Sequence, residues 1–184
     1  QFSSQELSNI LWGLAWLFAP EGTSAACPAS AELASAVIAE SMSRLSNFSS
    51  QCLTNSFWAV AKLELRSHEA DAFSYACASQ LRASAFAGIA PQGFANAIWA
   101  VAKRDLRPDV AVPFCIEAAR QATSAPGVLS RFYPLELSMS LWGIARIVRS
   151  SASARQPRRR GGGHGQLPPE VEAFVVGRRV PQPL

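Results

Sequence analysis

The sequence predicts an all-α protein: an α-solenoid of helix pairs, about seven helices with four tryptophan-centred repeats over residues 1–150, and a disordered basic tail over residues 151–184. Three observations carry this expectation. One segment occurs four times, as FSSQELSNILWGLAWL from Phe2 to Leu17, FSSQCLTNSFWAVAKLEL from Phe48 to Leu65, IAPQGFANAIWAVAKRDL from Ile89 to Leu106, and FYPLELSMSLWGIARI from Phe132 to Ile147. Each copy opens with an apolar residue ten positions before its tryptophan, and Trp12, Trp58, Trp99 and Trp142 are 46, 41 and 43 residues apart. A period of this size marks stacked helical repeats, each too small to bury its apolar face alone. Composition agrees, because alanine and serine are abundant and β-branched residues few, which favours helix over sheet.

The elements follow in order. Ser3 or Ser4 caps a first tryptophan helix over about 4–18, with Leu7, Ile10, Leu11, Leu14 and Phe18 on one face. Ala19 to Gly22 stop it. A partner helix over about 29–44 presents Leu33, Val37 and Leu45. Ser49 or Ser50 caps the second tryptophan helix, which ends near Leu65, and its partner over about 69–82 carries Phe73, Tyr75, Cys77 and Leu81. Pro91 opens the third tryptophan helix, ending near Asp105. Pro108 then breaks the chain, and a partner over about 109–123 carries Val112, Phe114, Cys115 and Ile116, with Pro113 in its first turn or kinking it. Ala125, Pro126 and Gly127 read as a loop before the fourth tryptophan helix, expected over about 134–148.

At 184 residues and 49% apolar content the chain is a single domain with material for a core. It has no apolar run of the roughly 18–20 residues a membrane span requires. It begins at Gln1, at the very start of a repeat, and reads as a fragment of a longer solenoid, with any targeting segment not present in this fragment. Cys27, Cys52, Cys77 and Cys115 form no C-x-x-C pair, and His68 and His164 complete no zinc site; the thiols read as packed core residues of a reducing compartment. No cofactor motif is present, and neither H-E-x-x-H nor G-x-S-x-G occurs, so the expectation is a protein that is not an enzyme. Residues 1–150 hold 11 basic and 11 acidic side chains, so the net charge of +4 resides in the tail.

Comparing the four copies sorts their positions. The residue after each tryptophan is Gly13, Ala59, Ala100 or Gly143, and three after come Ala15, Ala61, Ala102 and Ala145. Small residues here imply close helix approach, with the tryptophan as a wedge in the core between repeats; exposed rings would instead stack on bases. Asn9, Asn55 and Asn96 stand three before their tryptophans, where the fourth copy has Met139. Gln5, Gln51 and Gln92 stand seven before, where the fourth has Leu135. Such amides either read base edges or tie down backbone, and the sequence leaves both open. Lys62, Lys103 and Arg146 follow by four, where the first copy has Trp16; Arg66 and Arg107 follow by eight, with Arg149 one short of that place. Stacked repeats would align these as a basic row able to track a phosphate backbone, or as helix C-terminal cations facing solvent. In the tail, Arg158, Arg159 and Arg160 run into Gly161–Gly163, a composition shared by RNA-binding and linker segments.

The repeated helix resembles the octotricopeptide repeat family, whose second helix reads roughly F-x-P-Q-x-L-A-N-x-x-W-A-x-A-K-L. The second and third copies are closest to it. The first departs at Trp16, and the fourth lacks the Gln and Asn while keeping Phe132, Pro134, Leu137, Trp142, Ala145 and Arg146. The spacing is longer than the family's. Similar helical repeats precede the RAP domain of organellar RNA proteins, including relatives of the Fas-activated serine/threonine kinase family, and occur in a subunit of the kinetoplastid mitochondrial RNA-editing substrate-binding complex. No RAP domain is recognisable in the tail. The resemblance implies a single-stranded RNA-binding solenoid of a mitochondrion, or else a chloroplast, acting in RNA processing, stability or translation beside other proteins of an organellar complex. Lys62, Arg66, Lys103, Arg107 and Arg146 would hold phosphates, and Asn9, Asn55 and Asn96 would contact bases. The alternative is a protein-interaction scaffold of the same shape without RNA contact.

Overall fold

The computed structural model describes residues 2–18, 28–124 and 127–155. They form seven α-helices: α1 Ser4–Phe18, α2 Pro28–Ser43, α3 Ser50–Lys62, α4 His68–Ala83, α5 Pro91–Lys103, α6 Pro108–Ala122 and α7 Pro134–Arg155. Short 3-10 turns at Leu45–Asn47 and Leu129–Arg131 lead into α3 and α7. No strand occurs among the described residues, and none of their helices is long and apolar enough to cross a membrane. The expected tail cations Arg158, Arg159 and Arg160, and Cys27, lie outside the described residues.

Local chemistry sets the helix ends. Ser3 and Glu6 form a reciprocal cap: the Ser3 amide donates to Glu6 Oε2 at 2.7 Å and the Glu6 amide to Ser3 Oγ at 3.3 Å. Glu136 supplies one half of this arrangement for α7, accepting from the Tyr133 amide at 2.8 Å. Ser49 and Ser67 cap α3 and α4, and proline opens α5 and α6. Both α3 and α5 end on a left-handed acidic residue, Glu64 at φ 53° and Asp105 at φ 51°, where glycine is usual. Each carboxylate has a use there: Glu64 pairs with Lys103, and Asp105 accepts from Ser150 Oγ at 3.1 Å.

The helices make two layers. In one, α1, α3, α5 and α7 pack in succession; in the other, α2, α4 and α6 do. The core lies between the layers and between consecutive helices of the first, with Leu7, Leu11, Phe57, Phe73, Leu81 and Phe114 fully enclosed. Arg104, at the end of α5, is a buried tie that the sequence comparison passed over. Its Nη1 donates to the Leu65 carbonyl at 2.5 Å and its Nη2 pairs with Asp71. Burial lowers the Arg104 pKa, and Asp71 opposes that. Cys52, Cys77 and Cys115 are free and buried, and desolvation pushes the Cys115 thiol up to about 11 and Cys77 higher still.

Several side chains depart from expectation. Leu33, Phe18 and Ile116 are exposed. On α6 the buried set is Ala111, Phe114, Cys115 and Ala118, a stripe one helical step away from Ile116. The helix α7 runs seven residues past Val148 and crosses the expected boundary at residue 150. Its small residues there fit a helix, and Ser151 Oγ donates back to the Ile147 carbonyl at 2.8 Å.

The two glycines that directly follow a tryptophan differ. A Cβ on Gly143 would lie 2.8 Å from Ile98 Cγ2 and 3.1 Å from the Ile98 carbonyl oxygen, which is the close approach expected of this position. A Cβ on Gly13 would meet nothing within 4 Å. Gly13→Ala should therefore stabilise the fold by about 1 kcal/mol through helix propensity alone. Gly143→Ala should cost about 1–3 kcal/mol because backbone blocks it. Urea melts of the two variants would show opposite midpoint shifts; shifts of the same sign would refute the difference in packing.

Candidate nucleic-acid interface

Helix α3 is buried on almost every side. From Gln51 onward, its residues that escape full burial are Gln51, Asn55, Trp58 and Lys62, spaced four, three and four apart. That spacing is a single helical stripe. In α5 the same stripe carries Gln92, Asn96, Trp99 and Lys103, of which Asn96 is buried and the others partly or wholly open. The amide, indole and cation picked out by recurrence thus share the one free edge of each inner helix.

The tryptophans correct the expectation of core wedges. Trp12 and Trp142 are each 45% exposed, and Trp58 and Trp99 are half-buried. In α3 and α5 the positions before and after the ring, Phe57 and Ala59, Ile98 and Ala100, fill the core, so the ring itself falls on the free edge. The indoles meet one another across the repeats. Trp12 to Trp16 is 5.7 Å between ring centroids, Trp16 to Trp58 6.1 Å, Trp58 to Trp99 6.3 Å and Trp99 to Trp142 6.4 Å. Trp16, which looked like a departure at the basic position, is the rung that joins the first repeat to this row. The signal was available in the sequence: a tryptophan in place of a surface cation is an aromatic on the outer stripe.

The cations are only partly free. Arg146 lies over the Trp142 ring at 5.7 Å, and its Nε donates to the Ala102 carbonyl at 2.9 Å. Lys103 pairs with Glu64 of the preceding repeat. That bond holds the Glu64 carboxyl below its usual range, and Arg66 and Lys62 add to the effect. Three cations therefore surround one carboxylate. Arg66 is exposed and Lys62 half-buried. Arg107 is drawn to its own neighbour, with Nη2 2.5 Å from Asp109 Oδ2 and Nε 3.1 Å from Oδ1, which raises the arginine and lowers the carboxyl. It sits with Arg149, Asp105 and Ser150 around a shallow cleft, apart from the tryptophan stripe.

The amides divide as well. Asn9 is exposed and accepts from Gln5 Nε2 at 2.9 Å; Asn55 is half-buried and Asn96 buried. Gln51, Asn55 and Gln92 line a cleft between the starts of α3 and α5. Compared with known protein families, curated proteins and solved structures, the chain gives no match.

Proposed function

We propose that this chain is an α-solenoid that binds single-stranded RNA along its tryptophan edge, in the organellar RNA processing that the octotricopeptide-like repeats imply. The observation that carries the reading is the continuous row of five indoles running through four repeats, with Lys62, Lys103 and Arg146 one helical turn from their tryptophans. Single-strand binders combine aromatic platforms for bases with cations for the backbone. Here the two lie side by side on the one edge of the inner helices that packing leaves open. Lys103 would exchange Glu64 for a phosphate, and Asn55 and Gln92 in the adjoining cleft are placed to meet base edges. Arg66 lies in the same neighbourhood, while Arg107 and the tail arginines Arg158, Arg159 and Arg160 would serve as outlying phosphate contacts.

A protein-interaction scaffold is the second reading. The Lys103–Glu64 and Arg107–Asp109 pairs favour it, since both neutralise the row internally. Fluorescence anisotropy with a labelled single-stranded RNA, over a salt series, separates the two. The comparison uses the whole chain, a version ending at Arg155, and Lys62→Ala/Lys103→Ala/Arg146→Ala. If the edge is the site, binding survives removal of the tail, and the triple variant weakens it and flattens the salt dependence. Binding that disappears with the tail alone, or no binding at low salt, would transfer the assignment to the scaffold.

A further inference from the structure

One carboxylate stands inside the basic row. Glu64 follows α3 at the left-handed position that ends the helix, φ 53°, a backbone conformation that side chains disfavour and glycine suits. From there it pairs with Lys103, the last residue of α5. Lys62 and Arg66 lie two residues to either side of it in the sequence, and both act on its charge. Neither is hydrogen-bonded or ion-paired among the described residues. Three cations thus surround one monoanion, and two of them, Lys62 and Lys103, lie one helical turn beyond Trp58 and Trp99. A phosphodiester carries the same single charge and the same kind of acceptor oxygens as this carboxylate.

The pair opens easily. The side chains of Lys103 and Glu64 are 33% and 40% exposed, so their bond adds little to the fold and costs little to give up. Arg104, the next residue, differs: its side chain is 2% exposed, and it holds Asp71 and the Leu65 carbonyl as a fixed tie. The following seam has a different arrangement. Asp105 takes the left-handed position at the end of α5, φ 51°, but it accepts from Ser150. Arg146, the counterpart of Lys103, lies over Trp142 and donates to the Ala102 carbonyl. Of these two seams, only the one between α3 and α5 has a carboxylate on the cation of the row.

We infer that Glu64 is an internal competitor for the RNA backbone: its carboxylate holds the place of one phosphate among Lys62, Arg66 and Lys103, and a strand must displace it to bind there. This role rests on the RNA-binding reading of the tryptophan edge and adds to it the group that sets affinity. No covalent bond is made or broken; one anion replaces another, and the released carboxylate turns to solvent.

Fluorescence anisotropy with a labelled single-stranded oligouridine, over a salt series, tests it with three variants of the whole chain, each checked for unchanged helical circular dichroism. Glu64→Gln removes the charge and keeps the shape. Glu64→Gly removes the charge and suits the left-handed backbone, which offsets the lost pair. Glu117→Gln is the control: it also neutralises a paired acid, but on α6 beside Arg120, in the other layer. Both Glu64 variants should bind about fivefold tighter at low salt, roughly the effect of removing one like charge at contact in water, and the gain should shrink as salt rises. Glu117→Gln should bind as the unaltered chain does. Folded Glu64 variants that bind no tighter than the unaltered chain, or a Glu117→Gln protein that gains as much, would overturn the inference and leave the RNA reading in place. If neither the unaltered chain nor the Glu64 variants bind at low salt, the RNA reading fails and the inference fails with it.

Discussion

Phe57→Ala is expected to lower stability by about 3–5 kcal/mol, the usual loss for a fully enclosed phenylalanine. Phe57 has no solvent exposure and stands immediately before Trp58, at the repeat position where Ile98 of α5 meets Gly143 of α7. Its removal costs the transfer energy of the ring and leaves a void between two repeats that straight helices close poorly. Leu141→Ala is the control, at the same register in α7, where the side chain is exposed. It should shift stability by less than about 0.5 kcal/mol. Urea unfolding followed by circular dichroism checks both. A lower midpoint with unchanged slope for Phe57→Ala is the expected result. Comparable losses at the two positions would mean that the register described for the repeats is wrong.

Trp58→Ala and Trp99→Ala should each weaken single-stranded RNA binding by about 1–3 kcal/mol, roughly fivefold to 150-fold, if bases stack on the row. The salt dependence should stay as in the whole chain, because no phosphate contact is removed. Lys62→Ala/Lys103→Ala/Arg146→Ala should do the reverse, with a flatter salt slope. Trp→Phe at either position should recover part of the loss, since a smaller ring still offers a face. Each tryptophan also packs on its neighbours, so thermal melts must accompany the titrations. Unchanged affinity in a folded Trp58→Ala/Trp99→Ala protein would remove the indole row from the RNA-binding surface and leave it as packing alone.

Four copies in one register made the order of helices legible, because a buried face leaves the same apolar spacing each time. Ser49, Pro91, Pro108 and Pro134 then placed helix starts within a residue or two. The recurring set of amide, indole and cation was equally visible. Which way the set faced was not. A tryptophan flanked by small residues reads as a core wedge, and only the packing of α3, buried nearly all round, pushed Trp58 to the open stripe with Asn55 and Lys62. Gly13 and Gly143 occupy one place in the repeat, yet only Gly143 has a neighbour. Charge pairing was hidden for the same reason: Glu64 and Lys103 are 39 positions apart in the sequence and meet through the stacking of α3 on α5. The sequence by itself determined the helices, their number and their repeat, since these depend on spacing along one chain. Tertiary structure alone decided exposure, ring-to-ring contact and ion pairing, since these depend on what the next repeat covers.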